Sequence, residues 1–211
     1  NGTQAGGARP TYKTTSASNV NLLDNGRPGV LFVDGSSQWI NLTGLDTGAA
    51  SNYAVHFVMD VDTNTTTMQM LSTNHDASNI LRIYHNHTGD SKIQVFDGTS
   101  DSFVAGTTTR QILSFILDSM NGLKVYRNGT QIGSAGTYTQ LRMAATVGAA
   151  LGAAFDGASD YFDGLIFEFG VTTDATDATR IKWEGYLAHR WELASSLPST
   201  HTYRYAMPTT G

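Results

Sequence analysis

Histidines set close to acidic residues are where chemistry would first be sought in this sequence. His75-Asp76 and His85-Asn86-His87 form its densest cluster of metal-ligating residue types. On an extended strand His85 and His87 share one side at i, i+2, and a third donor from His75 or Asp76 would complete a site for a transition metal. Asp60-Val61-Asp62-Thr63-Asn64 opens as a calcium loop does. Thr65 then stands where the turn requires glycine and Leu71 where it requires a bidentate glutamate, so the EF-hand pattern fails. Saccharide recognition calls for an aromatic plane beside amides and carboxylates on rim loops. Trp39, Asp76, Asn79, Tyr84, His85, His87 and Asp101 are the ligand-binding candidates of those types. Thiol chemistry is excluded, because the chain has no cysteine.

The elements that would carry these residues are short strands. At 211 residues the chain suits a single domain spanning 1–211, and one that starts at Asn1 reads as part of a longer or processed chain. Charged residues make up only 15% of the sequence, which suits many strands joined by polar turns. The net charge of −5 offers no basic run to neutralise phosphates, so nucleic acid is not an expected partner. No apolar run is long enough to cross a membrane as a helix.

Expected strands are Val30 to Asp34, Gln38 to Leu42, Tyr53 to Asp62, Met68 to Ser72, Ile80 to His85, Ile93 to Phe96, Gln111 to Leu117, Leu123 to Arg127 and Tyr161 to Val171. Pro198 to Tyr205 reads as a final short strand. Within Tyr53 to Asp62, alternation places Tyr53, Val55, Phe57, Met59 and Val61 on one face. Asn121-Gly122 marks a turn, and Asn128-Gly129 carries the strongest hairpin signal, a type I′ turn with two positive φ angles. The glycine-rich stretch 144–160 must bend sharply or run close to other backbone. With around fourteen short strands and no βαβ alternation, the expected fold is all-β, a two-sheet antiparallel jelly-roll sandwich with one C-terminal α-helix.

That helix lies within Asp163 to Leu197. Thr172, Thr173 and Asp174 are its N-cap candidates, and Ser195 to Pro198 its stop. Trp183, Leu187 and Trp191 follow at i, i+4 and i+8 as a core-facing stripe widened by Ile181 and Ala188, while Arg180, Lys182 and Arg190 fall on the solvated faces. The stripe reads as packing rather than as a sugar-stacking platform.

The run DGLIFEFGV followed by TRIKWEGYLAHRWELASSLPSTHTY resembles the C-terminal end of laminin-G-like domains of the concanavalin A-like lectin and glucanase superfamily, in its bacterial and bacteriophage branch. Glu184-Gly185-Tyr186-Leu187-Ala188, Trp191, Leu193, Leu197-Pro198, His201 and Tyr203 carry the match. Arg190 stands where lysine is usual and Glu192 where glycine is usual. The resemblance implies the jelly-roll sandwich and admits lectins, glycosidases, lyases and adhesion modules alike. Glucanases of the superfamily carry an E-x-D-x-x-E pair of carboxylates on one strand. This chain has three glutamates, Glu168, Glu184 and Glu192, and no such pattern, so no catalytic residues are assigned and no enzyme is expected. The resemblance also implies a rim calcium site, for which Asp60, Asp62, Asp156 and Asp160 are the candidate ligands, although no cofactor is required. The expected function is a non-catalytic glycan-binding or adhesion module, extracellular or on a virion surface, with a cell-surface or extracellular glycan as partner. The alternative is a structural virion component, a capsid or tail decoration or fibre that binds other virion proteins and forms a homo-oligomer. A degenerate glycoside hydrolase is the third reading.

Overall fold

The computed structural model describes residues 2–3, 11–13, 23–24, 27–33, 37–43, 45, 52–62, 66–76, 79–85, 92–96, 100–135 and 148–209. Among them the chain forms fifteen strands. The first seven are β1 (Gly2–Thr3), β2 (Thr11–Lys13), β3 (Leu23–Asp24), β4 (Arg27–Phe32), β5 (Ile40–Leu42), β6 (Asn52–Val61) and β7 (Met68–Asp76). Next come β8 (Asn79–His85), β9 (Lys92–Phe96), β10 (Ser100–Ala105), β11 (Gln111–Asp118) and β12 (Gly122–Arg127). β13 (Thr130–Ala135), β14 (Gly148–Leu151) and β15 (Gly164–Thr172) precede the one α-helix among the described residues, α1 (Asp177–Arg190), and a 3₁₀ turn at Ala194–Ser196.

Two antiparallel sheets make a jelly-roll sandwich. One has seven strands in the order β1-β5-β14-β7-β8-β9-β10. The other has eight, ordered β13-β12-β11-β6-β15-β4-β2, with β3 paired to β4 off that path. The expected alternation of β6 holds: Tyr53, Val55, Phe57, Met59 and Val61 all enter the core between the sheets, with Phe115, Leu71, Ile83 and Phe162. The opposite face of β6 is buried too, because α1 lies across it. Val58, Ile112, Leu165 and Phe167 there meet Leu187, Ala188, Trp191 and Leu197 in a second apolar layer. His56 sits in this layer, its Nδ1 3.0 Å from Ser114 Oγ on the neighbouring strand and its ring stacked on Trp183.

The turns follow their residues. Asn128 and Gly129 have φ of 47° and 78°, as a type I′ hairpin requires. Asn128 also accepts a hydrogen bond from Ile112 N at 2.8 Å through its side chain, tying the hairpin back to β11. In the glycine-rich stretch, Gly152 has a φ of 84° and lies so close to Phe32 that a Cβ would stand 2.4 Å from the ring. The bend expected there is present.

Several expectations are corrected. β10 was not among the expected strands, because Ser100-Asp101-Ser102 hides the alternation. Its apolar anchor, Phe103, packs on Gly133 of β13, so the two sheets meet along that border. Residues 198–205 form turns rather than a strand. The helix starts later than its first cap candidates: Thr176 is the N-cap, accepting from Thr179 N, while Asp174 braces Thr176 N and Thr179 Oγ1. It also stops earlier, at Arg190, and Glu192 follows at a φ of 57°. That left-handed conformation explains why glycine suits the position. Finally, Arg180 is buried, not solvated. It lies over the Tyr126 ring and pairs with Asp177 and with the fully buried Glu184.

The strand leading to the helix carries a bulge. Ile166 pairs with Met59 but Glu168 with Val58, so Phe167 is the extra residue and both Phe167 and Glu168 face α1. Strict alternation would put Ile166 on the face of Glu168; the bulge turns Ile166 into the inter-sheet core. Glu168 thereby accepts from Tyr186 Oη (3.0 Å) and Trp191 Nε1 (2.6 Å), and pairs with Arg190 (2.8 Å).

Candidate functional site

The outward face of the seven-stranded sheet concentrates the polar and aromatic groups. Strand register decides which residues share it. Leu71, Ile83 and Val95 form a rung that points into the core, so the neighbouring rungs Gln69–Tyr84–Gln94 and Ser72–Arg82–Phe96 point outward. Gln69, Ser72, Tyr84 and Gln94 are buried, whereas Arg82 and Phe96 are half-buried. Asp160, held at a φ of 56° in the loop after β14, caps one end by accepting from Gln69 Nε2 at 2.5 Å. In the same loop the Asp160 carbonyl accepts from Gln69 N at 2.8 Å. Trp39 packs against Gly157 of this loop, where a Cβ would stand 2.1 Å from the indole, and both Trp39 and Asp160 keep partial exposure.

Arg82 lies over the Phe96 ring, 5.6 Å from its centroid, and reaches Tyr84 Oη at 3.5 Å. Burial pushes the Tyr84 phenol up, opposed by the hydrogen bond and charge of Arg82. Tyr84 and Gln94 are also engaged by other protein groups, so a ligand would meet the half-buried rim before the floor. Amide, phenol and guanidinium groups beside aromatic planes are suited to bind sugar hydroxyls and the apolar faces of sugar rings.

Of the sequence-derived ligand candidates, Tyr84 belongs to this face, and Trp39 packs on the loop that carries Asp160. Asp76 and Asn79 pair with each other at the β7–β8 connection, and Asp101 lies in β10 opposite Val95. His87 lies outside the described residues. His85 points the other way from Tyr84, into the sandwich, fully buried against Gly106. Among the metal candidates, Asp60 pairs with Arg110 at 3.1 Å and Asp156 accepts from Ala158 N. Asp62 is exposed at the end of β6, and Asp160 serves Gln69. Among the described residues no three His, Asp or Glu side chains gather in a group that could hold a metal ion. The residues that sequence reasoning missed here are Gln69, Arg82, Gln94 and Phe96. Each is an outward residue of a strand whose inward residues are apolar, but a register shift in β7 and the pairing of three strands, neither of which alternation gives, bring them together.

The two buried histidines make stability depend on pH. Burial, reinforced by the Arg180 charge, lowers His56 to about 3. Burial also lowers His85 to about 4, with the Thr107 backbone opposing and Arg127 reinforcing the shift. Both rings stay neutral in the folded chain, while the unfolded chain takes up protons below pH ~6.5. The unfolded state then binds more protons, so the stabilisation is complete above that value and falls as the pH drops toward 4. Each ring contributes up to about 1.4 kcal/mol per pH unit. Urea midpoints measured at pH about 7.5 and about 5 should therefore differ, the acidic one being lower. Equal midpoints would mean that the folded chain protonates these rings freely.

No protein-family model matches this sequence, and no curated protein matches it. Solved structures do. Domain 4 of AbnA, an extracellular GH43 arabinanase from Geobacillus stearothermophilus, solved with arabinotriose, is 17% identical with a TM-score of 0.57, over 78% of this chain and 75% of that one. The CBM40 of the Ruminococcus gnavus IT-sialidase, bound to α2,3-sialyllactose, is 14% identical with a TM-score of 0.54, over 72% of this chain and 93% of that one. The leech intramolecular trans-sialidase complexed with 2,7-anhydro-Neu5Ac is 15% identical with a TM-score of 0.54; the match covers 72% of this chain but 26% of that one. The likeness is one of fold. It shows a two-sheet β-sandwich shared with these proteins and marks out no laminin-G or bacteriophage branch.

Proposed function

We propose that this chain is a non-catalytic saccharide-binding module that works outside the cell. The observation that carries the reading is the outward face of the seven-stranded sheet, where Arg82 lies over Phe96, Tyr84 and Gln94 share a rung, and Asp160 closes one end on the loop that also packs on Trp39. Domain 4 of the arabinanase and the sialidase CBM40, two modules of similar fold, were each solved with a saccharide, which supports the same use of this fold. A non-catalytic role is supported by the glutamates. Glu168 is taken up by Tyr186, Trp191 and Arg190, and Glu184 by Arg180 and His201, all on the helix side of the other sheet.

A glycan array probed with the 211-residue chain, with calcium and with chelator, tests the proposal. At least one saccharide should be retained, and Trp39→Ala and Gln94→Ala should each weaken retention. Lys182→Ala, on the exposed side of α1, should leave it unchanged. Titration with no binding at ~1 mM saccharide, where even about −4 kcal/mol of affinity is visible, would reject the reading.

A further inference from the structure

We infer that the saccharide taken by this face is anionic, and that its acidic group sits on Arg82. The inference rests on the proposed saccharide-binding role and adds the charge class and orientation of the ligand. Arg110 pairs with Asp60, Arg180 with Asp177 and Glu184, and Arg190 with Glu168. Arg82 has no carboxylate partner among the described residues. Its one hydrogen-bonding contact is the long reach to Tyr84 Oη at 3.5 Å, and its Nε is buried with no hydrogen-bond partner. A guanidinium always carries its charge, and its planar fork offers paired donors matched to a carboxylate or sulfate. Half-buried Arg82 carries part of the desolvation cost of a cation with no carboxylate among the described residues to offset it. Phe96 lies beside the guanidinium, its ring centroid 5.6 Å from Cζ, and offers it a cation–π contact on one side.

The face also has polarity. Asp160 sits at the β7 side of the outward rungs, engaged by Gln69, while Arg82 and Phe96 lie on β8 and β9. An acidic sugar is repelled at the first position and attracted at the second. Its anionic end therefore points toward Arg82 and its hydroxyls toward Asp160, a carboxylate that accepts from sugar hydroxyls. A neutral sugar would leave the Arg82 edge unmatched in the complex as well.

Calorimetric titration with matched pairs of oligosaccharides tests this. One member of each pair ends in a uronic acid, a sialic acid or a sulfated sugar, and the other is its carboxyl-reduced or desulfated counterpart. At least one acidic member should bind at least about tenfold tighter than its neutral partner, and the preference should shrink as salt is raised. Arg82→Gln should abolish the preference while keeping the thermal midpoint of the native chain, and Arg82→Lys should restore only part of it because the paired donors are lost. Neutral and acidic partners binding alike, or an acid preference that survives Arg82→Gln, would overturn the inference and leave the saccharide-binding role standing. Binding of neither member of any pair would overturn both.

Discussion

Trp191→Ala is expected to lower the unfolding free energy by roughly 3–5 kcal/mol, the usual cost of truncating a buried tryptophan. The indole is 3% exposed at the end of α1, tilted against Phe167 with ring centroids 5.2 Å apart, and its Nε1 donates to Glu168 at 2.6 Å. Truncation removes apolar area from the layer between helix and sheet and also deprives Glu168 of a donor. Trp191→Phe separates the two losses. It keeps a ring against Phe167 and gives up the hydrogen bond, so it should cost about 1–2 kcal/mol. Urea unfolding followed by circular dichroism reads both. A loss below about 1 kcal/mol for the alanine variant would show that the helix does not depend on this residue.

Glu184→Ala should cost a similar amount, about 3–5 kcal/mol, for an electrostatic reason. Glu184 is fully buried, accepting from Arg180 Nη1 at 2.6 Å and lying 3.3 Å from His201 Nε2. His201 Nδ1 accepts from Tyr203 N, which leaves Nε2 as the ring's donor toward the carboxylate. Without Glu184, Arg180 keeps only the largely exposed Asp177, and His201 loses its acceptor. A buried cation stripped of its counter-charge is costly because the attraction that offset its desolvation is gone. Glu184→Gln, which retains shape and one acceptor, should fall between wild type and alanine. If glutamine and alanine variants unfold at the same urea concentration as wild type, the pair contributes nothing net.

The sandwich was legible because its signals are local. Alternation in β6, the Asn128-Gly129 turn and the glycine bends each follow from residue types at short range. The helix motif was legible too, and the structure explains its composition. Gly185 is required because a Cβ there would stand 2.4 Å from the Tyr203 side chain. Glu184 holds His201, Leu187 and Trp191 meet Phe167 and its neighbours, and Pro198 and His201 lie over Gly129 of the β12–β13 turn. These matched residues are those that fasten the C-terminal turns to the helix and sheet. They report architecture, which is why they say little about a ligand.

What sequence could not supply was long-range register. Arg180 looks solvated by helical periodicity until Tyr126 and His201 are brought beside it from other elements. Gln69, Tyr84 and Gln94 lie on three strands, and only their pairing makes them one rung. His85 reads as a ligand beside His87 until strand parity turns it into the core with Met68 and Ile93. Strand parity thus removes His85 from the rim.

The extra residue at Phe167 has a consequence for which changes of chain length the protein can accept. Upstream of it Ile166 is inward; downstream Phe169 and Val171 are inward again, with Glu168 between them turned to the helix. Losing Phe167 would leave a regular strand with Ile166 and Phe169 still inward and Glu168 still turned to the helix, at the cost of the ring that packs on Trp191; losing Phe169 instead would turn Glu168 into the interior or Val171 out of it. Loops elsewhere can lengthen or shorten at little cost. Here the bulge adds one residue, Phe167, to the layer beneath α1 without changing which later residues face inward.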